Sequence, residues 1–137
     1  MKWAARRLDE IPPVPGDPDW RPLQYFFRLT AFGANVFTAL RAGETLVERH
    51  DELESGQEEL YVVLEGEVEF ELDGESLVAQ RAAVVALQDP AVTRRAVARS
   101  PGASLLAVGS RPGCFETTWL PEHFEQVPQL GDSRSAR

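Results

Sequence analysis

The chain has 137 residues, 43% hydrophobic and 26% charged, with a formal net charge of −8. That is about one domain's length with apolar material for one core, which excludes collagen-like, mucin-like and wholly disordered chains. No apolar run approaches the ~18–20 residues of a membrane span, and Met1 to Arg7 lacks the apolar stretch of a secretory signal, so a cytoplasmic protein with no membrane partner is expected. The single cysteine, Cys114, excludes an internal disulfide and reads as a small, half-buried turn residue.

Residues 1–21 read as an N-terminal arm. Ile11 to Asp19 holds four prolines in nine positions, which forbids a helix interior or a central strand. Trp3 and Trp20 flank this piece as anchors to the body. Gln24 to Leu29 is aromatic and reads as extended. Asn35 to Leu40 and Thr45 to Arg49 follow as strands. Glu59 to Leu64 is β-branched and apolar on both faces, the pattern of a strand covered on both sides, and it invites a partner packed on its outer side.

From Glu67 to Leu72 the chain alternates with period two. Val68, Phe70 and Leu72 share one face, and Glu67, Glu69 and Glu71 the other. Asp73-Gly74 then signals a type I′ hairpin turn, with Ser76 to Ala79 returning. Ala82 to Leu87, Arg94 to Ala98 and Ser104 to Val108 supply three more strands, with breaks at Asp89-Pro90 and Pro101-Gly102. Only Leu120 to Val127 reads as helical, with Pro121 in its first turn. The polar stretch 128–137 reads as a flexible tail. Many short strands and almost no helix define an all-β sandwich or barrel over residues 22–127.

Charge is unevenly placed. Glu44 to Glu75 carries 13 acids against one base, Arg49, whereas Leu77 to Pro112 carries five arginines against Asp89 alone. Such an acidic half repels phosphate backbones and excludes nucleic acid as a partner, and the arginines suit cross-strand pairing with the acids.

From Gly43 to Gly66 the sequence resembles the first signature motif of the cupin superfamily: a glycine, a short strand, two histidines one residue apart, a glutamate, six residues and a glycine. Gly43, Glu59 and Gly66 fit, and His50 falls within one residue of a histidine position. The hairpin from Glu65 to Gly74 also resembles the one that follows in small cupins, so the likeness spans roughly Asn35 to Gly109. It implies an antiparallel double-sheet jelly-roll barrel with the proline-rich arm and short C-terminal helix appended, and commonly a homodimer. The second motif is worn. Asp89 to Arg95 stands in its place without a histidine, and Thr93 occupies roughly the metal-binding position. Counted from Gly43, Arg49 and Asp51 occupy the two histidine positions of the first motif.

A typical cupin site uses three His and one Glu. This chain has only His50 and His123, and His123 reads as a surface residue. A reduced metal set of His50, Glu52 and Glu59 would hold a divalent ion weakly. Otherwise there is no cofactor, and Asp51 to Gln57 is a solvated acidic loop above a packed His50. Glu59 shares parity with Tyr61 and Val63 and so points inward, where it needs a partner. Arg49, Arg94 or Arg95 can supply one, or Glu59 can work beside His50 in proton transfer. A ligand in the barrel would meet Phe37, Tyr61, Thr93 and Arg95, although only one of the neighbours Arg94 and Arg95 can enter. The reading is a small-molecule-binding cupin with an incomplete metal site and its ligand in the barrel cavity. One alternative is a metal-assisted or metal-free enzyme of isomerase, lyase or oxygenase type using His50 and Glu59. Another is a structural dimer with a collapsed barrel.

Overall fold

The structure is a computed structural model that describes residues 2–132. Nine strands follow in chain order: β1 (Trp20–Pro22), β2 (Gly33–Thr38), β3 (Thr45–His50), β4 (Glu58–Glu65), β5 (Glu67–Leu72), β6 (Glu75–Gln80), β7 (Val84–Leu87), β8 (Arg94–Ala98) and β9 (Ser104–Ser110). They form two antiparallel sheets, one ordered β1-β2-β9-β4-β7 and the other β3-β8-β5-β6. The sheets face each other as a double-layered jelly roll, the all-β class expected from the strand pattern.

Alternation builds the core. Tyr61 and Val63 of β4, Leu105 and Ala107 of β9, Val68 and Phe70 of β5, and Ala96 and Ala98 of β8 all turn into the space between the layers and are buried. Alanines on β8 make room for the rings opposite, with Tyr61 and Phe70 at a centroid distance of 5.6 Å. The β5–β6 hairpin closes through Asp73 and Gly74, at φ +50° and +83°, the two positive values a type I′ turn requires. On the outer face of β5 the glutamates meet arginines as their placement suggested: Glu71 with Arg49, and both Glu67 and Glu69 with Arg99. Arg49 holds the Glu71 carboxyl below its ordinary range by hydrogen bonding, and the Ser76 hydroxyl, then Arg99, do the same for Glu69.

The ends depart from the expected pattern. Gln24 to Leu29 is not extended: Leu23–Phe26 forms a one-turn helix, α1. Its chain reverses at Arg28 (φ +59°), and the amides of Phe27, Arg28 and Leu29 all find carbonyls within the same segment, so no sheet partner is needed. The arm ends earlier than residue 21, because Trp20 to Pro22 pairs with Asn35 to Phe37 as an edge strand. Trp20 does anchor it, donating from Nε1 to Asn35 Oδ1 at 2.8 Å and stacking on Phe37. Trp3 does not, being 81% exposed; Ile11, at 3%, is the buried contact. Near the C-terminus the helical stretch shrinks to one 3-10 turn, Pro121–Phe124, which buries none of its residues and so has no packed face to extend it. Of the expected tail, residues 133–137 lie outside the described residues. No helix among the described residues is long and apolar enough to cross a membrane.

Candidate functional site

The site is assembled from the start of β4, the end of β3, the loop between them and the start of β8. Strand parity sends Glu59 inward with Tyr61 and Val63, while Glu58 turns out. Glu59 Oε1 accepts two hydrogen bonds, from Tyr61 Oη at 2.8 Å and from Arg94 Nη1 at 2.6 Å. Arg94 is 1% exposed and the Glu59 side chain 13%. Burial, and after it the Glu59 carboxylate, pushes the Tyr61 phenol far above its ordinary range, so Tyr61 is a neutral donor here.

His50 reaches the same place by an irregular route. Between β3 and β8 the Cα partners run Thr45 with Val97, Val47 with Ala96 and His50 with Arg94, with a register shift at each step. These bulges turn His50, rather than Arg49, toward Arg94, and Arg49 goes to Glu71 outside. His50 Nε2 lies 2.8 Å from Glu52 Oε2, and Nδ1 lies 2.7 Å from the Glu48 carbonyl. The Ser55 hydroxyl donates to the other Glu52 oxygen, and the Glu52 amide donates to the Pro90 carbonyl at 2.8 Å. One ligand-type atom from each of His50, Glu52 and Glu59 falls within 4.8 Å of the others.

The sequence therefore named the trio that converges, and the structure corrects its surroundings. Arg95 does not enter. It sits on the outer face with Glu69, Glu71 and Val97, and Arg94 takes the inward position because Leu72 and Arg94 are direct partners on the β5–β8 ladder. Thr93 is one residue short of that position, and its backbone is tied to Asp73 in the β5–β6 turn through 2.8 Å bonds in both directions. Phe37 lines a separate recess of about 260 Å³, shared with Asp17, Asp19 and His50. Tyr61 belongs to the site through Glu59. Cys114 is exposed, not half-buried.

A cleft of about 710 Å³ lies at the end of the five-stranded sheet where β4, β7 and β9 meet the segment after β9, bordered by the outward Leu60, Ala86 and Val108 and by the inward Glu59 and Leu87. Phe32, Leu60, Ala86, Val108 and Phe115 supply its apolar surface, and Glu58, Glu59, Gln88 and Arg111 its polar groups. Glu59 thus borders the cleft and also closes the Arg94 network. Gly109 leaves it room, since a Cβ there would come within 2.7 Å of Gln57 Oε1 and 3.2 Å of Glu59 Cγ. Ser55 and Gly109 were not singled out by the sequence, whereas Arg94 stood among the three candidate partners of Glu59 and is the one that meets it.

The donor chemistry decides whether a cupin-type metal fits. Three donors from one histidine and two carboxylates converge, but one carboxylate is held by a buried guanidinium and the other by a hydroxyl and an imidazole. An ion on Glu59 would sit roughly 5–7 Å from the guanidinium, a repulsion on the order of 5 kcal/mol for a divalent charge at an effective dielectric of ~20. With no second histidine to compensate, the set does not fit a tightly held transition metal.

Comparison with known proteins places the architecture. A cupin protein from Bacteroides fragilis superposes with a TM-score of 0.66 at 21% identity, over 95% of this chain and 97% of that one. A cupin 2 conserved barrel domain protein from Salinispora arenicola gives 0.65 at 16%, over 83% and 93%. A sugar phosphate isomerase of the cupin superfamily from Silicibacter pomeroyi gives 0.57 at 22%, over 67% of this chain and 58% of that larger one. No protein-family model matches the chain, and no curated protein does. The chain has the cupin fold.

Proposed function

We propose that this protein binds a small molecule in the cleft bordered by Glu59, the ligand's apolar body lying on Leu60, Val108 and Phe115 and its polar end at Glu59. The observation that carries this reading is the double membership of Glu59. Its carboxylate is fixed from inside by Arg94 and Tyr61, and its residue borders a cleft whose volume lies in the range of small-molecule sites. With Glu58 and Gln88 beside it, the polar end accepts more hydrogen bonds than it donates, so hydroxyl- or amine-bearing ligands suit it. Tyr61, Phe70 and Arg94 are buried beside Glu59, so the ligand's apolar body lies on Leu60 and Val108 and only its polar end turns toward the barrel. Native mass spectrometry of the intact protein, parent beside Glu59→Gln and Leu60→Asp, tests this. The expected result is a retained small molecule whose binding falls at least ~tenfold in both variants, about 1.4 kcal/mol. A ligand held equally well by all three proteins overturns it.

A second reading, proton-transfer catalysis, draws on the 2.8 Å His50–Glu52 pair beside Glu59. A carboxylate that orients an imidazole is a general-base arrangement, and the sugar phosphate isomerase from Silicibacter pomeroyi shares this fold. Hydrogen–deuterium exchange at carbon in candidate sugar phosphates, lost in His50→Ala, would support it. Absence of exchange across that set leaves ligand binding as the function. Either activity is proposed for a cytoplasmic homodimer.

A further inference from the structure

Arg94 heads the fully buried side chains ranked by volume. A guanidinium aimed into a core of rings and alanines is tolerated only when its donors are met. Here oxygen alone meets them: Nη1 on Glu59, Nε on the Val92 carbonyl at 3.1 Å, and Nη2 on the Val92 and Pro90 carbonyls at 2.9 and 3.3 Å. One carboxylate and two carbonyls around a positive charge form the kind of shell that an oxygen-ligated cation gathers. The Arg94 Cα lies directly opposite that of His50, and the guanidinium is bonded to the carboxylate that completes the His50, Glu52 and Glu59 set.

We propose that Arg94 is the resident cation of this site: its guanidinium stands in for a metal ion, holds Glu59 from within and prevents the three donors from closing on an ion. The chain thereby dispenses with the missing histidines, because an always-protonated side chain supplies the positive charge they would have recruited. The consequence is exchangeability. Arg94→His removes the guanidinium and places a second imidazole across the strand pair from His50. Two imidazoles and two carboxylates then suit Co²⁺ or Zn²⁺.

The test loads chelator-stripped parent, Arg94→His and Arg94→Met proteins with Co²⁺. Excess ion is removed by gel filtration, and cobalt content, visible absorption and melting temperature are read. The parent is expected to retain no stoichiometric cobalt and to melt unchanged. Arg94→His is expected to retain it stoichiometrically, with tetrahedral absorption, and Glu59→Gln in that background to weaken it ~10- to 100-fold. Stoichiometric, chelator-resistant cobalt on the parent overturns the proposal, as does a folded Arg94→His that binds no more than the parent. If Arg94→His is unfolded without metal, cobalt must restore its fold or raise the melting temperature of Arg94→Met, and failure of both also overturns it. No small molecule is present in these measurements, so they stand or fall apart from the ligand reading.

Discussion

Tyr61 shows how one buried polar atom ties sequence parity to the site. Its ring packs on Phe70 and its hydroxyl donates to Glu59, so the residue serves the core and the network together. Because its folded phenol holds the proton far more tightly than an unfolded one, whose value is about 10, its stabilisation is fully present below that pH. It is lost as the pH climbs from there toward the folded value. The chain has two tyrosines, so Tyr25→Phe leaves Tyr61 as the sole phenol. In that variant, phenolate absorbance is expected to rise only together with loss of the β-sheet circular dichroism; ordinary titration with the fold intact would contradict this. Tyr61→Phe removes one donor to a carboxylate that keeps Arg94, and a loss of about 1–2 kcal/mol is expected in urea melts. A similar economy explains Arg94 and Arg95: alternation says that one of them enters, and only the β5–β8 register says which.

At the level of elements, turns carry the strongest demands. Gly66 joins β4 to β5 at φ +73°, and a Cβ there would meet the Ser100 hydroxyl at 2.5 Å and the backbone of Ala103 at 2.9 Å. Gly74, at φ +83°, has nothing within 4 Å. Gly74→Ala therefore carries backbone strain alone, ~1–2 kcal/mol, whereas Gly66→Ala adds a clash with main chain worth a further ~1–3 kcal/mol. Denaturant melts should separate the two, and equal losses would show that the Ala103 contact relaxes freely. These elements also show what was legible. β5 and β8 emerge with the bounds expected of them, since firm turns flank both, but clean alternation fixes the facing on β5 alone. β1 was hidden because the proline-rich arm reading took in Trp20 and Arg21; its Pro22 lacks an N–H for the ladder, which on an edge strand is harmless. The β3 bulges were invisible for a deeper reason. A bulge is a relation between two strands, and counting along one strand from Gly43 cannot see it. That count put Arg49 and Asp51 at the histidine positions, whereas the register shifts bring His50 inward.

The two outer faces of the whole molecule are built for different neighbours. That of the four-stranded sheet carries the Glu67, Glu69 and Glu71 ladder with its arginines, a face made for water. That of the five-stranded sheet carries two uncharged rows, read directly from the pairing: Val36, Leu106, Val62 and Val84 across four strands, then Ala34, Val108, Leu60 and Ala86. At the β2 end these rows are buried, with α1 packed on that strand, but Val84 at the other end is 59% exposed and Leu60 39%. The C-terminal segment leaves Phe115, Trp119 and Phe124 uncovered as well, at 77%, 62% and 48%. Those three rings present on the order of 350 Å². A patch of a few hundred square ångströms on the sheet brings the total near the ~800 Å² per partner of a standard interface. A second copy related by a two-fold axis would cover both surfaces at once, and its approach over Val62 and Val84 would also roof the cleft beside Leu60. Light scattering is therefore expected to find a dimer in the parent. Val84→Lys combined with Val62→Lys should give monomers, Trp119→Ser should weaken association, and Leu77→Lys on the exposed β6 strand should leave it unchanged. A parent that stays monomeric at every concentration, or a Leu77→Lys variant that dissociates as readily as the Val84 pair, would show that this apolar face serves the cleft alone.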